Sequence, residues 1–261
     1  MRGRRKRKIP MTLEQFFRQV PRAALAFSGG ADSAFLLWAA RRYGCDLRAY
    51  YIKTVFQPAF ELEDARRLAK ELDVPMTVIE LDVLAVEKAA ENGPRRCYYC
   101  KKALFTRLRQ AAAADGYTVL LDGTNASDDA GDRPGMVALR ELEVRSPLRE
   151  CGVTKAEVRR LSREAGLFTW NKPAYACLAT RIPTGTALTA GMLTRVEKAE
   201  SALTDLGFSD FRVRVADDAA RLQVTEDQLP LVLARRAEIL RALAPEFAAV
   251  TLDLAPRQPS V

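Results

Sequence analysis

Between residues 23 and 124, short apolar runs alternate with stretches whose apolar positions recur at helical spacing. "AALAF" (23–27) reads as a first strand, followed by a helix through Tyr43 that Gly44 closes. "LRAYYIKT" (47–54) is a second strand, and "AFELEDARRLAKEL" (59–72) a helix with Pro75 soon after its end. "MTVIEL" (76–81) is a third strand, residues 97–114 form a helix with an alanine-rich end, and "YTVLLDG" (117–123) is a fourth strand. This alternation predicts an α/β fold with a doubly wound parallel sheet. Such sheets bind ligands beyond the carboxyl ends of their strands, which puts "SGGADS" and "GTNASDD" on one rim.

From residue 125 to 185 the pattern is less regular, with helices expected at 135–142 and 154–165. Thr154 and Glu157 stand as a capping box before the second of these. Beyond "IPTGTAL" the pattern changes. A helix over 189–206 ends at Gly207, and strands at 211–215 and 221–225 flank an Asp-bearing turn. A helix follows at 228–243, with Pro230 near its start, and then a strand at 248–254. The expected organisation is a basic tail (1–10), an α/β domain (11–185) and a small α+β C-terminal domain (186–261).

A chain of 261 residues can bury a sizeable core. Hydrophobic residues make up 48% and charged residues 28%, which is ordinary for a soluble protein. No apolar run approaches the roughly 18 residues of a membrane span, and no secretory leader follows the basic start. The expected compartment is the cytoplasm, with no membrane partner. The net charge of +8 suggests nucleic acid, but six of the 41 basic residues lie in "MRGRRKRK". That leaves 35 against 33 acidic residues. The body is near neutral, so nucleic acid is not the expected partner, and the tail is either solvated or an RNA contact. The chain has five cysteines and no histidine. Imidazole is thereby excluded as a base or metal ligand, and any soft-metal site must be built of thiolate. A disulfide framework is not expected in that compartment.

Ser28, Gly29, Gly30, Ala31, Asp32 and Ser33 join a strand to a helix. Glycines let a backbone approach an anion, and free N–H groups at the helix start bind phosphate. The lysine of a Walker A loop is missing, and Asp32 stands in the turn instead. A carboxylate beside phosphate implies a bridging Mg²⁺. The bland alternative is a capped helix start. Gly123 and Thr124 end a strand on the same rim, where backbone can pass close to a nucleotide. Asp128 and Asp129 follow as candidates for metal or ribose. Lys155 and Arg159 share a helix face, as site residues or as a solvated basic face.

"SGGxDS" after a strand resembles the PP-loop of the ATP pyrophosphatases, which cleave ATP between its α and β phosphates and pass AMP to a substrate oxygen. The resemblance implies an adenine nucleotide alpha hydrolase-like fold and a turn that grips pyrophosphate. Cys177 lies in "NKPAYACLATRIPTG" (171–185), with Arg181 four residues on. Arginines beside a thiol at the rim of such a site predict a lowered pKa.

Together "GTNASDDAGDRPG", "VRSPL" and "KPAYACLATRIPTG" resemble the LarE family of ATP-dependent sulfur transferases. That resemblance spans residues 23 to 252. It implies adenylation of a carboxylate of pyridinium-3,5-biscarboxylic acid mononucleotide, then sulfur insertion toward a nickel-pincer nucleotide cofactor. Cys177 matches the sulfur-donating or sulfur-anchoring cysteine. The resemblance assigns substrate anions to Arg212 and Arg214, which share a strand face, and to Arg181 beside the thiol; an exposed strand face is the alternative for the pair. Family members often carry histidines after this Arg-x-Arg, where this chain has "VADDAAR".

Cys97 and Cys100 stand at i, i+3 at the start of a helical run. A redox pair needs no third cysteine, whereas a cubane cluster needs at least three thiolates. Members of the LarE family with this pair imply a [4Fe–4S] cluster on Cys97, Cys100 and Cys177. The alternatives are Cys177 acting alone, or zinc. Cys45 and Cys151 read as structural. The family also implies a homo-oligomer. Rival readings are a PP-loop tRNA thiolase with a three-cysteine cluster and an ATP-binding module without chemistry.

Overall fold

The computed structural model describes residues 11–128 and 133–258; the basic tail and Asp129 lie outside them. The chain opens with α1 (Leu13–Gln19), where Thr12 and Gln15 form a capping box. There follow β1 (Arg22–Ala26), α2 (Ala31–Arg42), β2 (Asp46–Lys53), α3 (Ala59–Glu71) and β3 (Met76–Glu80). The short α4 (Glu87–Ala90) leads into the long α5 (Arg96–Ala114) and β4 (Leu120–Leu121). Next come α6 (Pro134–Glu141), α7 (Pro147–Glu150) and α8 (Lys155–Glu164).

The four strands form one parallel sheet in the order β3-β2-β1-β4. Side chains of β2 alternate between its two faces. Ala49 and Tyr51 join a core with Phe35, Leu36 and Leu37 of α2 and Val158 of α8. Tyr50 and Ile52 join a second layer with Leu108 and Ala112 of α5. Helices therefore cover both faces, as a doubly wound sheet requires. The strand order reverses between β1 and β4, so the loops leaving these two strands flank the crevice where such sheets take ligands.

β4 is shorter than the strand expected over 117–123. Leu120 and Leu121 pair with β1, and the Arg145 strand edge closes on their other side. Arg145 N–H donates to Leu120 O and Asp122 N–H to Arg145 O, each at 2.9 Å.

The last third holds α9 (Ala190–Asp205), β5 (Arg212–Ala216), β6 (Ala219–Gln223), α10 (Leu229–Ala234), α11 (Arg236–Leu243) and β7 (Ala249–Leu252). β5 and β6 pair antiparallel around Asp217, whose φ is +54°, and β7 lies parallel to β6. The single helix expected over 228–243 turns at Arg235. It is two helices that meet there: Arg235 closes α10 by donating its N–H to Leu231 O and opens α11 by accepting from Ile239 N–H. Val232, Ile239 and Leu243 all reach this sheet's core.

That core does not stop at residue 186. It takes in Leu178, Ala179 and Ile182 of the cysteine loop, along with Phe56, Val83 and Ala89. Asn92, fully buried at φ +56°, donates through Nδ2 to Pro183 O and Thr186 O. The cysteine loop is thus anchored on both sides. Among the described residues, no helix is long and apolar enough to cross a membrane.

Candidate active site

β1 delivers the chain to the crevice, where Phe27 N–H still donates to Tyr50 O before the backbone turns at Ser28. Gly29 has a φ of +72°, and a Cβ there would lie 3.0 Å from Glu61 O and 3.1 Å from Ala65 Cβ. α3 therefore packs on the back of the turn, and only glycine meets both the angle and the space. Gly30 caps α2 with extended backbone and no side-chain acceptor. The first N–H groups of α2 are left for an anion. Ser33 Oγ donates to Gly30 O at 3.1 Å, which makes Ser28 the donor in their 3.1 Å hydroxyl pair.

The loop after β4 closes against this helix start. A Cβ on Gly123 would fall 2.9 Å from Ser33 N and 3.1 Å from Ser33 Cα. Asp122, 6% exposed, shapes the loop by accepting from Thr124 N, Thr124 Oγ1 and Ser146 Oγ. The result is a cleft of about 620 Å³ lined by Ser28, Gly30, Asp32, Ser33, Gly123, Thr124 and Asp128, with Lys101 and Cys97 on α5. Two lysines serve the turn from elsewhere in the chain. Lys155 Nζ donates to Asp32 Oδ2 at 2.7 Å. Lys172 Nζ donates to Asp64 Oδ2 at 2.6 Å and lies 3.4 Å from Gly29 O.

Cys97 is exposed in the first turn of α5, with Cys100 one turn on. Arg96 Nη1 crosses to Ala179 O at 3.0 Å and ties this helix start to the Cys177 loop. Cys100 and Cys177 both pack against the second core. Burial pushes the Cys100 thiol up to about 12, and the neighbouring Cys177 and Cys97 add to that. The Cys177 thiol is also raised, against the lowered value expected beside arginines. Arg96 and Arg181 do favour its thiolate, but the loss of solvent outweighs them. Among the described residues, no group of three His, Cys, Asp or Glu is arranged to hold a metal ion. Cys45 and Cys151 are buried, and burial raises both thiols to about 11.

A pyridinium-3,5-bisthiocarboxylic acid mononucleotide synthase of Lactiplantibacillus plantarum is 36% identical over 246 residues, 93% of this chain and 89% of its own length. The chain belongs to that synthase's family, LarE. An uncharacterised protein of Synechocystis is 36% identical over 220 residues, 83% of this chain and 81% of its own. A tRNA-specific 2-thiouridylase of Clostridium botulinum is more distant, 26% identical over 181 residues, 57% of this chain and 51% of its own. No protein-family model matches the chain.

In this LarE-family chain, Arg181 is 1% exposed and already committed. Its guanidinium forks onto Glu200, Nε to Oε1 at 2.8 Å and Nη2 to Oε2 at 2.9 Å. Nη1 donates to Ala176 O at 2.6 Å, which braces the cysteine loop from below. Glu200 also accepts from Val213 N and from the Tyr175 hydroxyl. Arg212 donates to Phe211 O and Ala174 O, and burial lowers its pKa to about 10. It lines a second cavity of about 420 Å³ together with Tyr175, Lys172 and Phe60. Arg214 donates to Thr180 O at 2.8 Å. All three arginines therefore bracket the segment that carries Cys177.

Sequence reasoning missed Glu200, Lys172, Asn92 and Asp122. Glu200 had a signal: it falls on the same buried helical stripe as Leu193, Val196 and Leu203. A carboxylate there needs a buried cation.

Proposed function

We propose that this chain adenylates a carboxylate of pyridinium-3,5-biscarboxylic acid mononucleotide and replaces one of its oxygens with sulfur. The observation that carries this reading is the shared cleft. The phosphate turn and Cys97 face one another across it, and Arg96 joins that end of α5 to the Cys177 loop.

In the first half-reaction a substrate carboxylate oxygen attacks the α-phosphorus of ATP. The bond to the α,β-bridging oxygen breaks, and pyrophosphate leaves. The N–H groups at the start of α2, with the hydroxyls of Ser28 and Ser33, stabilise its charge. Asp32 and Asp128 offer hard oxygens on the same cleft, which suits Mg²⁺ held by one or two carboxylates and the phosphates. In the second half-reaction a sulfur nucleophile attacks the acyl carbon, and the C–O bond to AMP breaks as the C–S bond forms. Arg212, on the wall of the second cavity, and Arg214 beside the Cys177 loop supply the positive charge that holds the substrate's phosphate or second carboxylate.

Cys97, Cys100 and Cys177 are near enough to feel one another's charge and would be the thiolates of a [4Fe–4S] cluster, a site that needs them drawn closer together than the described residues place them. Burial and the neighbouring thiols raise the pKa of Cys100 and Cys177, and a bound metal centre would ionise such thiols outright. Held by these three cysteines, such a cluster would supply a transferable sulfide.

The test is mass spectrometry after incubation with ATP, Mg²⁺ and the biscarboxylate nucleotide. The expected products are AMP and pyrophosphate in equal amounts, with a nucleotide carrying one sulfur in place of one oxygen. ATP cleavage that ignores this nucleotide and responds to tRNA instead overturns the proposal.

A further inference from the structure

Lys155 breaks a local rule. It is the first residue of α8, where a positive charge meets the positive end of the helix dipole. Its side chain is also only 15% exposed, so the ammonium has given up most of its water. The position is nonetheless firmly built. Lys155 N–H donates to Ser127 Oγ at 3.0 Å, and the capping box of Thr154 and Glu157 fixes the helix start. A charge held so deliberately in an unfavourable place points to a use for it.

The partner is Asp32, in the first turn of α2 and on the wall of the phosphate cleft. Lys155 Nζ lies 2.7 Å from its Oδ2. Asn125 Nδ2 takes the other oxygen, Oδ1, at 3.3 Å. Both oxygens of Asp32 are therefore occupied, one of them by a cation. A divalent metal cannot share this carboxylate with an ammonium at that distance without strong repulsion. Phosphates bound at the start of α2 sit beside Asp32, within the neighbourhood that Lys155 already occupies.

We propose that the Asp32–Lys155 pair is a cation-exchange element. Lys155 holds the place of the divalent metal at Asp32 until the metal–nucleotide complex arrives. The metal then takes the carboxylate, and the released ammonium binds the phosphates. The lysine missing from the turn is thereby supplied in space by α8, and a bare metal ion is kept from entering ahead of its nucleotide. This rests on the proposed ATP chemistry for the identity of the nucleotide, but the pair's hold on Asp32 can be measured without it.

The probe is Mn²⁺ alone, titrated into nucleotide-free protein and followed by the EPR signal of the free ion. Lys155→Met is expected to tighten Mn²⁺ binding by about tenfold, the order of effect set by removing one like charge at close range. Asp32→Asn added to Lys155→Met abolishes the gain, and Lys155→Arg, which keeps the charge, binds Mn²⁺ as weakly as the unaltered chain. In the presence of EDTA, ATP binds about tenfold more weakly to Lys155→Met, as expected for one lost charge-assisted contact. Equal Mn²⁺ affinity with and without Lys155 overturns the proposal, as does a gain that survives Asp32→Asn or an unchanged ATP affinity. ATP that fails to bind the unaltered chain overturns the functional reading instead, and the Mn²⁺ comparison still decides the role of the pair.

Discussion

Glu61 sits behind the phosphate turn, and its main-chain oxygen is the atom that a side chain at Gly29 would strike. Burial pushes its carboxyl up to about 7, with Lys172 and Lys53 pulling the other way and Asp64 adding to the rise. An unfolded glutamate titrates near about 4.3. The folded protein therefore binds the extra proton between these two values, and stability falls as pH rises through that window. Urea midpoints measured from about pH 4 to about pH 8 should show this fall, and Glu61→Gln should flatten it. A parallel profile in the variant assigns the fall to other groups.

At this same scale the turn residues were legible, because two glycines and two serines after an apolar run form a local pattern. The arginines near Cys177 were legible too, but the burial that outweighs them was not. Desolvation depends on packing between segments far apart in the chain. Arg181 was misjudged for the same reason, since its partner Glu200 lies nineteen residues away on a helix stripe that reads as core.

At the scale of elements, the site depends on how closely the loop after β4 approaches α2. Gly123→Ala places a methyl 2.9 Å from the Ser33 nitrogen. Overpacking of this kind costs about 1–3 kcal/mol. ATP binding should weaken about tenfold, equivalent to about 1.4 kcal/mol, while circular dichroism stays unchanged. An unaltered dissociation constant by calorimetry contradicts the proposed approach of β4 to the phosphates. Most strands and helices followed from periodicity, and the Thr154–Glu157 capping box was plain in the sequence. α1 was missed despite its own box at Thr12 and Gln15, because seven residues carry little periodic signal. β4 was read too long because only Leu120 and Leu121 of that apolar run pair with β1, a limit set by partners far away in the chain.

For the whole molecule, a division near residue 185 separates two sheets but cuts through one core. Leu178, Ala179 and Ile182 pack with Leu193, Val196 and Val213. A fragment ending at residue 185 should therefore expose apolar surface, bind a hydrophobic dye and unfold without a sharp transition. The full chain should unfold in a single transition. A 1–185 fragment that melts cooperatively shows that the boundary falls where the hydrophobic pattern alone suggested. The alternation of strands and helices sufficed to read the two sheets; their shared core was hidden because it is made by the loop between them.

The central claim is that the chain performs two separable steps, activation at the phosphate turn and sulfur delivery from the Cys177 loop that Arg96 ties to the same end of α5. The most direct measurement is ATP–pyrophosphate exchange and product mass for Cys177→Ser with the biscarboxylate nucleotide. Substrate-dependent exchange should persist while the thiocarboxylate disappears. Thiocarboxylate formed without Cys177, or exchange lost together with the sulfur, contradicts that division.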